Sequence, residues 1–215
     1  MASVPTGTTF FIASAYAAAI PTTIVSNAAE AVVTATAHGL ANGDIVEVTS
    51  GWGRLHKRIA RVKTAAANTF VLEGMDTSSL NFFPAGQGIG SVRKVNTFTQ
   101  ITGVLATSFS GGDPINVSYK YLESDVQSSI NDGFNPVNGT LNIDADMIGT
   151  AGYNAAKTLT DVQTDTCVLM VSRNGSKVYR PCTVALNEEV TVNDGNINQV
   201  VLSVNGNNRS TRYAS

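Results

Sequence analysis

Apolar and polar residues alternate along much of this chain with a period of two. In "DIVEVTS" (44–50), Val46 and Val48 fall on one side, with Glu47 and Thr49 on the other. "NTFVLEG" (68–74) puts Phe70 and Leu72 together, and "DPINVSYKYLE" (113–123) lines up Ile115, Val117, Tyr119 and Tyr121. "GTLNIDADM" (139–147) repeats the pattern through Leu141, Ile143, Ala145 and Met147. Successive side chains of a strand point to opposite faces, so each run reads as a strand with one buried side. With "EAVVTATA", "RIARVKT", "GIGSVRKV", "TFTQITGVLATSF", "EEVTVND" and "NQVVLSVNG", the pattern predicts about ten strands. The clearest hairpin is "TCVLMVSRNGSKVYRPC" (166–182), whose central Asn174-Gly175 accepts the positive φ angles of a tight turn.

A helical period appears at 151–163, where Tyr153, Ala156, Leu159 and Val162 recur every three residues. This predicts one helix lying across a sheet. Leu122, Val126 and Ile130 offer a second helix over 122–131, and the alanines of 12–19 a short third one. No alternation of strand and long helix runs through the chain, so a parallel doubly wound sheet is not expected. The expected fold is mainly β: one sandwich or barrel domain over 29–215 with a flanking α-helix, preceded by an N-terminal arm over 1–28.

Composition shifts this picture modestly. Charged residues make up only 14% of the 215-residue chain against 43% apolar ones, which suits a surface that packs on copies of itself. A net charge of −2 argues against a nucleic-acid binder, since the basic run around "LHKRIARVK" is too short for a duplex-binding face. Cys167 and Cys182 flank the Asn-Gly turn; a disulfide is one reading, and two buried free thiols the preferred one. "FFIASAYAAAI" has no basic flank and is broken by Ser14 and Pro21, so neither a signal peptide nor a membrane span is expected.

Chemistry finds little purchase. His38 and His56 are the only histidines, and no nucleophile elbow, zinc spacing or calcium loop accompanies them. Asp144 and Asp146 share a face of the expected strand, a solvated edge more readily than a carboxylate pair for sugar hydrolysis. The Gly51–Gly53 and Gly88–Gly90 pairs lack the strand–turn–helix setting of a nucleotide loop. Trp52 reads as a cap on the sandwich core, with an exposed recognition aromatic as the alternative. His38-Gly39 and Asn42-Gly43-Asp44 read as a double turn between strands. No catalytic residue, metal ligand or cofactor is expected.

The segment "ATAHGLANGDIVEVTSGWGRLHKRIARVKTAAANTFVLEGMDTS" (35–78) resembles the N-terminal half of tail tube proteins from long, non-contractile-tailed bacteriophages. The shared features are a His-Gly-Leu turn, a "GD.V.V" strand, a Gly-Trp pair and a "TF.LEG.DT" strand and turn. "GYNAAKTLTDVQ", the Asn-Gly hairpin and the closing strands through "VNGNNRS" resemble the second half of that family. The likeness covers about 30–209. It implies a β-sandwich whose copies close into rings of six with a continuous inner barrel, stacked as a tube that conducts the genome. Implied partners are the chain itself, the tape-measure protein, tail terminator and tail tip proteins, and viral DNA passing through without specific binding. The implied location is the virion tail, assembled in the host cytoplasm. Ring-to-ring contacts are then expected from Phe10, Phe11 and Tyr16 on the arm, and from Trp52, Arg54 and Arg58 on a long loop near 50–68. Glu123, Asp144 and Asp146 are the expected lumen-facing residues. Other roles of related chemistry are a contractile-tail inner tube, a tail terminator, a head-completion ring, and more remotely a receptor-binding or fibre module.

Overall fold

The computed structural model describes residues 6–192 and 194–214, which form sixteen strands, one α-helix and one 3-10 turn. The first half closes on itself. After β1 (Thr9–Tyr16), the chain makes β2 (Ile20–Thr22), β3 (Ile24–Val25), β4 (Val32–Thr34), β5 (Ile45–Ser50), β6 (Arg58–Lys63), β7 (Thr69–Leu72) and β8 (Gly90–Ile101). β8 pairs with β5, β5 with β6, β6 with β7, β7 with β4 and β4 with β3. β2, one residue before β3, pairs back onto β8, so the circle is complete. A closed ring of strands leaves no unpaired edge. Its interior is filled by Val33, Val46, Val48, Phe70, Leu72 and Val92, with Trp52 at one end. Gly90 is needed where strands cross: a Cβ there would stand 2.1 Å from the Thr49 carbonyl oxygen.

β8 is twelve residues long and outruns the barrel. Its second half pairs with β1, which starts a second sheet. The chain then runs through β9 (Val104–Ser110), β10 (Pro114–Tyr119), β11 (Ser128–Phe134), β12 (Asn138–Asp144), α1 (Ala151–Val162), β13 (Thr166–Val171), β14 (Lys177–Thr191), β15 (Gln199–Gly206) and β16 (Thr211–Tyr213). The spatial order of the sheet is β8-β1-β13-β14-β15-β12-β9, and β16 lies on β14. Phe10 and Ile12 of β1 face a core with Leu141, Leu202 and the helix; Phe11 and Ala13 face the other side, with Leu169, Tyr179 and Tyr213. Alternation along one strand thus supplies both cores.

α1 seats Tyr153 and Ala156 against the sheet and comes closest at Gly152, where a Cβ would lie 2.2 Å from the Gln100 carbonyl oxygen. Val162 is 61% exposed. Each three-residue step falls about 60° short of a full helical turn, so the fourth member of the stripe has rotated to the opposite face.

The other two expected helices are absent among the described residues. Residues 12–16 belong to β1, because pairing to β8 and β13 on both sides overrides the helix preference of alanine. Residues 122–131 form a turn and the start of β11, where Ile130 faces Val117 across the ladder. Apolar residues four apart satisfy a period of two as well as a helix, so spacing alone did not separate these readings.

The expected arm over 1–28 contains strands that pair with the rest of the chain. Residues 1–5 lie outside the described residues, and residues 9–25 are β1, β2 and β3, all within the body. The expected long loop near 50–68 contains β6 and two core side chains, Trp52 and Leu55. The two cysteines are free. Thr166 pairs with Cys182 and Cys167 with Pro181, a one-residue offset that sends the thiols to opposite faces of the sheet.

Candidate assembly surface

Among the described residues β9 is one open edge of the second sheet; the opposite edge is the part of β8 beyond its pairing with β5, which pairs only with β1. β9 pairs with β12 on one side only, through Thr107 and Leu141, and Leu105 is 43% exposed. Gly111 and Gly112 follow at φ +98° and +81°, backbone angles that let the chain leave the sheet sharply. It then forms a separate two-stranded ladder, β10–β11. At its base the Gly112 N–H donates to the Asn135 carbonyl and the Asn135 N–H to that of Asp113, both at 3.0 Å. Ile115, Val117 and Ile130 stay exposed along the ladder, and Tyr121, Leu122 and Val126 at its tip. A free edge beside a projecting apolar hairpin is a template for another chain. The long projecting segment of this protein is therefore 111–137.

Between the hairpin base and the barrel lies a cleft of about 580 Å³. Arg54, Arg58 and Arg209 line it above Leu55, Met75 and Phe83, which are buried. Arg54 lies over the Phe82 ring at 3.3 Å and Arg209 over Phe134 at 4.1 Å. Arg58 donates from Nη2 to Thr211 Oγ1 at 3.3 Å, while its Nε is buried without a partner. Burial, reinforced by the positive charge of Arg209, pulls the Arg58 guanidinium down to about 10. Arg180, which is buried, stacks on Phe109 at 4.1 Å and so fastens β9 to β14.

The other residues singled out in the sequence take structural positions. Phe10 is 6% and Trp52 2% exposed: Phe10 fills the core beneath α1, and Trp52 donates its indole N–H to the Pro84 carbonyl at 2.8 Å. Phe11 and Tyr16 are half-buried, with the Arg93 guanidinium over the Tyr16 ring at 4.0 Å. Burial raises the Tyr16 hydroxyl well above its ordinary value. Asp144 and Asp146 do not share a strand face; β12 ends at Asp144, whose carboxylate accepts the Asp146 N–H at 3.0 Å and caps the 3-10 turn. Glu123 stands exposed on the hairpin tip.

His38 is buried in the barrel wall, edge-on to Phe70. Its Nδ1 accepts the Leu40 N–H at 3.0 Å, which leaves the proton on Nε2 to face the Thr69 carbonyl at 3.3 Å. Asp44 closes the same double turn by accepting the Ala41 N–H and pairing with Lys94 at 2.8 Å. Both ring nitrogens are used for shape, with none left over to move a substrate proton. Sequence reasoning missed Leu105, Leu122, Val126 and Arg209. The first three look like ordinary strand or helix apolars, and only the Gly-Gly and Asn-Pro flanking Leu122 and Val126 hinted that the segment of those two leaves the body.

The sequence profile of the phage tail tube protein family matches residues 50–215. This chain belongs to that family. No curated protein matches it. As a tail tube protein it is a structural component of the virion tail, built by association with copies of itself. The match begins at the last residue of β5 and takes in the barrel's second half, the hairpin, the helix and the whole C-terminal half of the second sheet.

Proposed function

We propose that this protein builds the tube of a long, non-contractile phage tail. Six copies close into a ring, rings stack into a hollow conduit, and the genome leaves through the bore. The observation that carries the reading is the free β9 edge beside the hairpin of 111–137, whose apolar residues have no cover among the described residues. Ring closure would join β9 to a neighbour and remove the edge.

Contacts between copies are assigned to this hairpin rather than to Phe10, Phe11 and Tyr16, which the chain uses internally. Asp144 and Asp146 are assigned to the bore, where negative charge lets DNA slide. The tape-measure protein occupies the bore before ejection, and terminator and tip proteins close the two ends. Assembly takes place in the host cytoplasm.

Negative-stain images of the purified protein test this. Hollow rings with six-fold end views, stacked into tubes, are expected. A protein that stays single-copy at high concentration, alone and with tail assembly partners, overturns the reading.

A further inference from the structure

The hairpin tip and the arginine cleft are complementary. The tip, "KYLESDVQ" (120–127), carries two carboxylates, Glu123 and Asp125, neither engaged in an ion pair among the described residues. Beside them Leu122 is fully exposed, Val126 71% and Tyr121 61%. The tip holds its shape: the Ser124 N–H donates to the Tyr121 carbonyl at 3.1 Å, Ser124 Oγ accepts the Val126 N–H at 3.2 Å, and Tyr121 packs edge-on against Tyr119. Little conformational freedom is left to lose on docking, which favours binding.

The cleft has the opposite character. Its floor is apolar, and its rim holds three arginines against two carboxylates, Asp76 and Asp132. Asp76 is already engaged by the N–H and hydroxyl of Ser78. Among the described residues Arg58 has only the neutral Thr211 hydroxyl for a partner, although a charge withdrawn from water ordinarily requires a counter-charge. A volume of about 580 Å³ is roomy enough for several side chains.

The tip cannot fill the cleft of its own chain. Residues 132–136 at the hairpin base line that cleft, and the tip lies at the far end of the ladder, about 20 Å away at the rise of a strand. We infer that the tip of one copy docks in the cleft of a second copy, with Leu122 on the apolar floor and Glu123 and Asp125 among Arg54, Arg58 and Arg209. Such a head-to-tail contact uses two different surfaces of each chain, so it propagates from copy to copy. The inference rests on the self-assembly reading and names the joint that reading leaves unspecified.

Two full-length variants, Glu123→Cys and Arg209→Cys, test it when mixed under mild oxidation. Cys167 and Cys182 are fully buried, so only the introduced thiols react. A disulfide-linked dimer is expected from the mixture and not from either variant alone. Charge exchange supplies the second arm, using Arg54 and Arg209 because both are exposed and their replacement leaves the core intact. Arg54→Glu with Arg209→Glu should raise the concentration needed for assembly about tenfold or more, as should Glu123→Arg with Asp125→Arg. Combining all four should restore it to within about threefold of the original. No mixed crosslink, or a fourfold variant no better than either pair, overturns the inference even where wild-type tubes form. A mixed crosslink from a protein that never builds tubes would instead leave the joint standing and overturn the tube.

Discussion

Arg61 and Tyr213 hold each other twice. The Arg61 backbone N–H donates to the Tyr213 hydroxyl at 2.9 Å, and the Arg61 guanidinium lies over the phenol ring at 4.5 Å. The same hydroxyl donates to the Glu73 carbonyl at 3.1 Å. One side chain of β16 thereby ties the C-terminal strand to β6 and the turn after β7. Tyr213→Phe keeps the ring but leaves a part-buried N–H and a carbonyl without partners. A loss of about 1–3 kcal/mol of folding stability is expected. Chemical denaturation of the unassembled protein would measure it, and an unchanged midpoint would show that water replaces the hydroxyl at no cost.

Acid should loosen the same corner. Hydrogen bonds from the Arg61 guanidinium, with Nη2 to Oε1 at 2.8 Å, hold the Glu73 carboxyl below its ordinary value of 4.5. A carboxyl lowered by folding adds stability that is fully present above its unfolded value. That contribution disappears as pH falls from about 4.5 through the lowered folded value. Thermal melts below pH 5 should therefore fall less steeply for Glu73→Gln than for the wild type. Parallel melting curves across that range would contradict the assignment.

Core and joint should separate cleanly in mutants. Phe10→Ala opens a cavity beneath α1 and is expected to cost about 3–5 kcal/mol of stability. Leu122→Asp, at a fully exposed position, should leave the melting temperature of the single copy unchanged and block tube growth. If Phe10→Ala instead folds normally and stops assembly, the strand it sits on exchanges between copies.

The thiols offer a cheap check on the register of β13 and β14. Burial pushes the Cys182 thiol up to about 12 and raises that of Cys167 as well. Neither should react with a thiol reagent in the folded protein at neutral pH, and both should react after denaturation. Oxidation should produce no internal disulfide, because the side chains stand on opposite sides of the sheet. An intact mass two hydrogen atoms lighter would mean that the pairing is shifted by one residue.

Much of the strand pattern could be read directly. Val46, Val48, Phe70, Leu72, Leu141 and Ile143 all alternate in sequence and all point inward. The helix was legible through Tyr153 and Ala156, and the double turn around His38 through its glycines. What the sequence concealed was which alternating segments have a core to face. "INVSYKY" and "LNIDADM" carry the same pattern, yet Leu141 and Ile143 are buried while Ile115 and Val117 stand in the open. The difference lies in pairings with strands distant in sequence, which local periodicity does not record. The burial of Phe10 was hidden for the same reason, since its cover is a helix that begins at Ala151. Arg58 and Arg209 are 151 positions apart and converge only through the closing strands.

The position of β1 has a consequence in time. Phe10 pairs with Ile101 on one side and with Met170 on the other. The sheet therefore cannot be completed until residues near 171 have left the ribosome, so β1, made before either partner, has to wait for both its neighbours. Until then the edge of β1 that β13 will cover is open, and nascent chains crowded on one messenger could pair through it in the wrong way. Extra residues fused to the N-terminus should act there first, lowering the yield of sound subunits before any effect on how those subunits join.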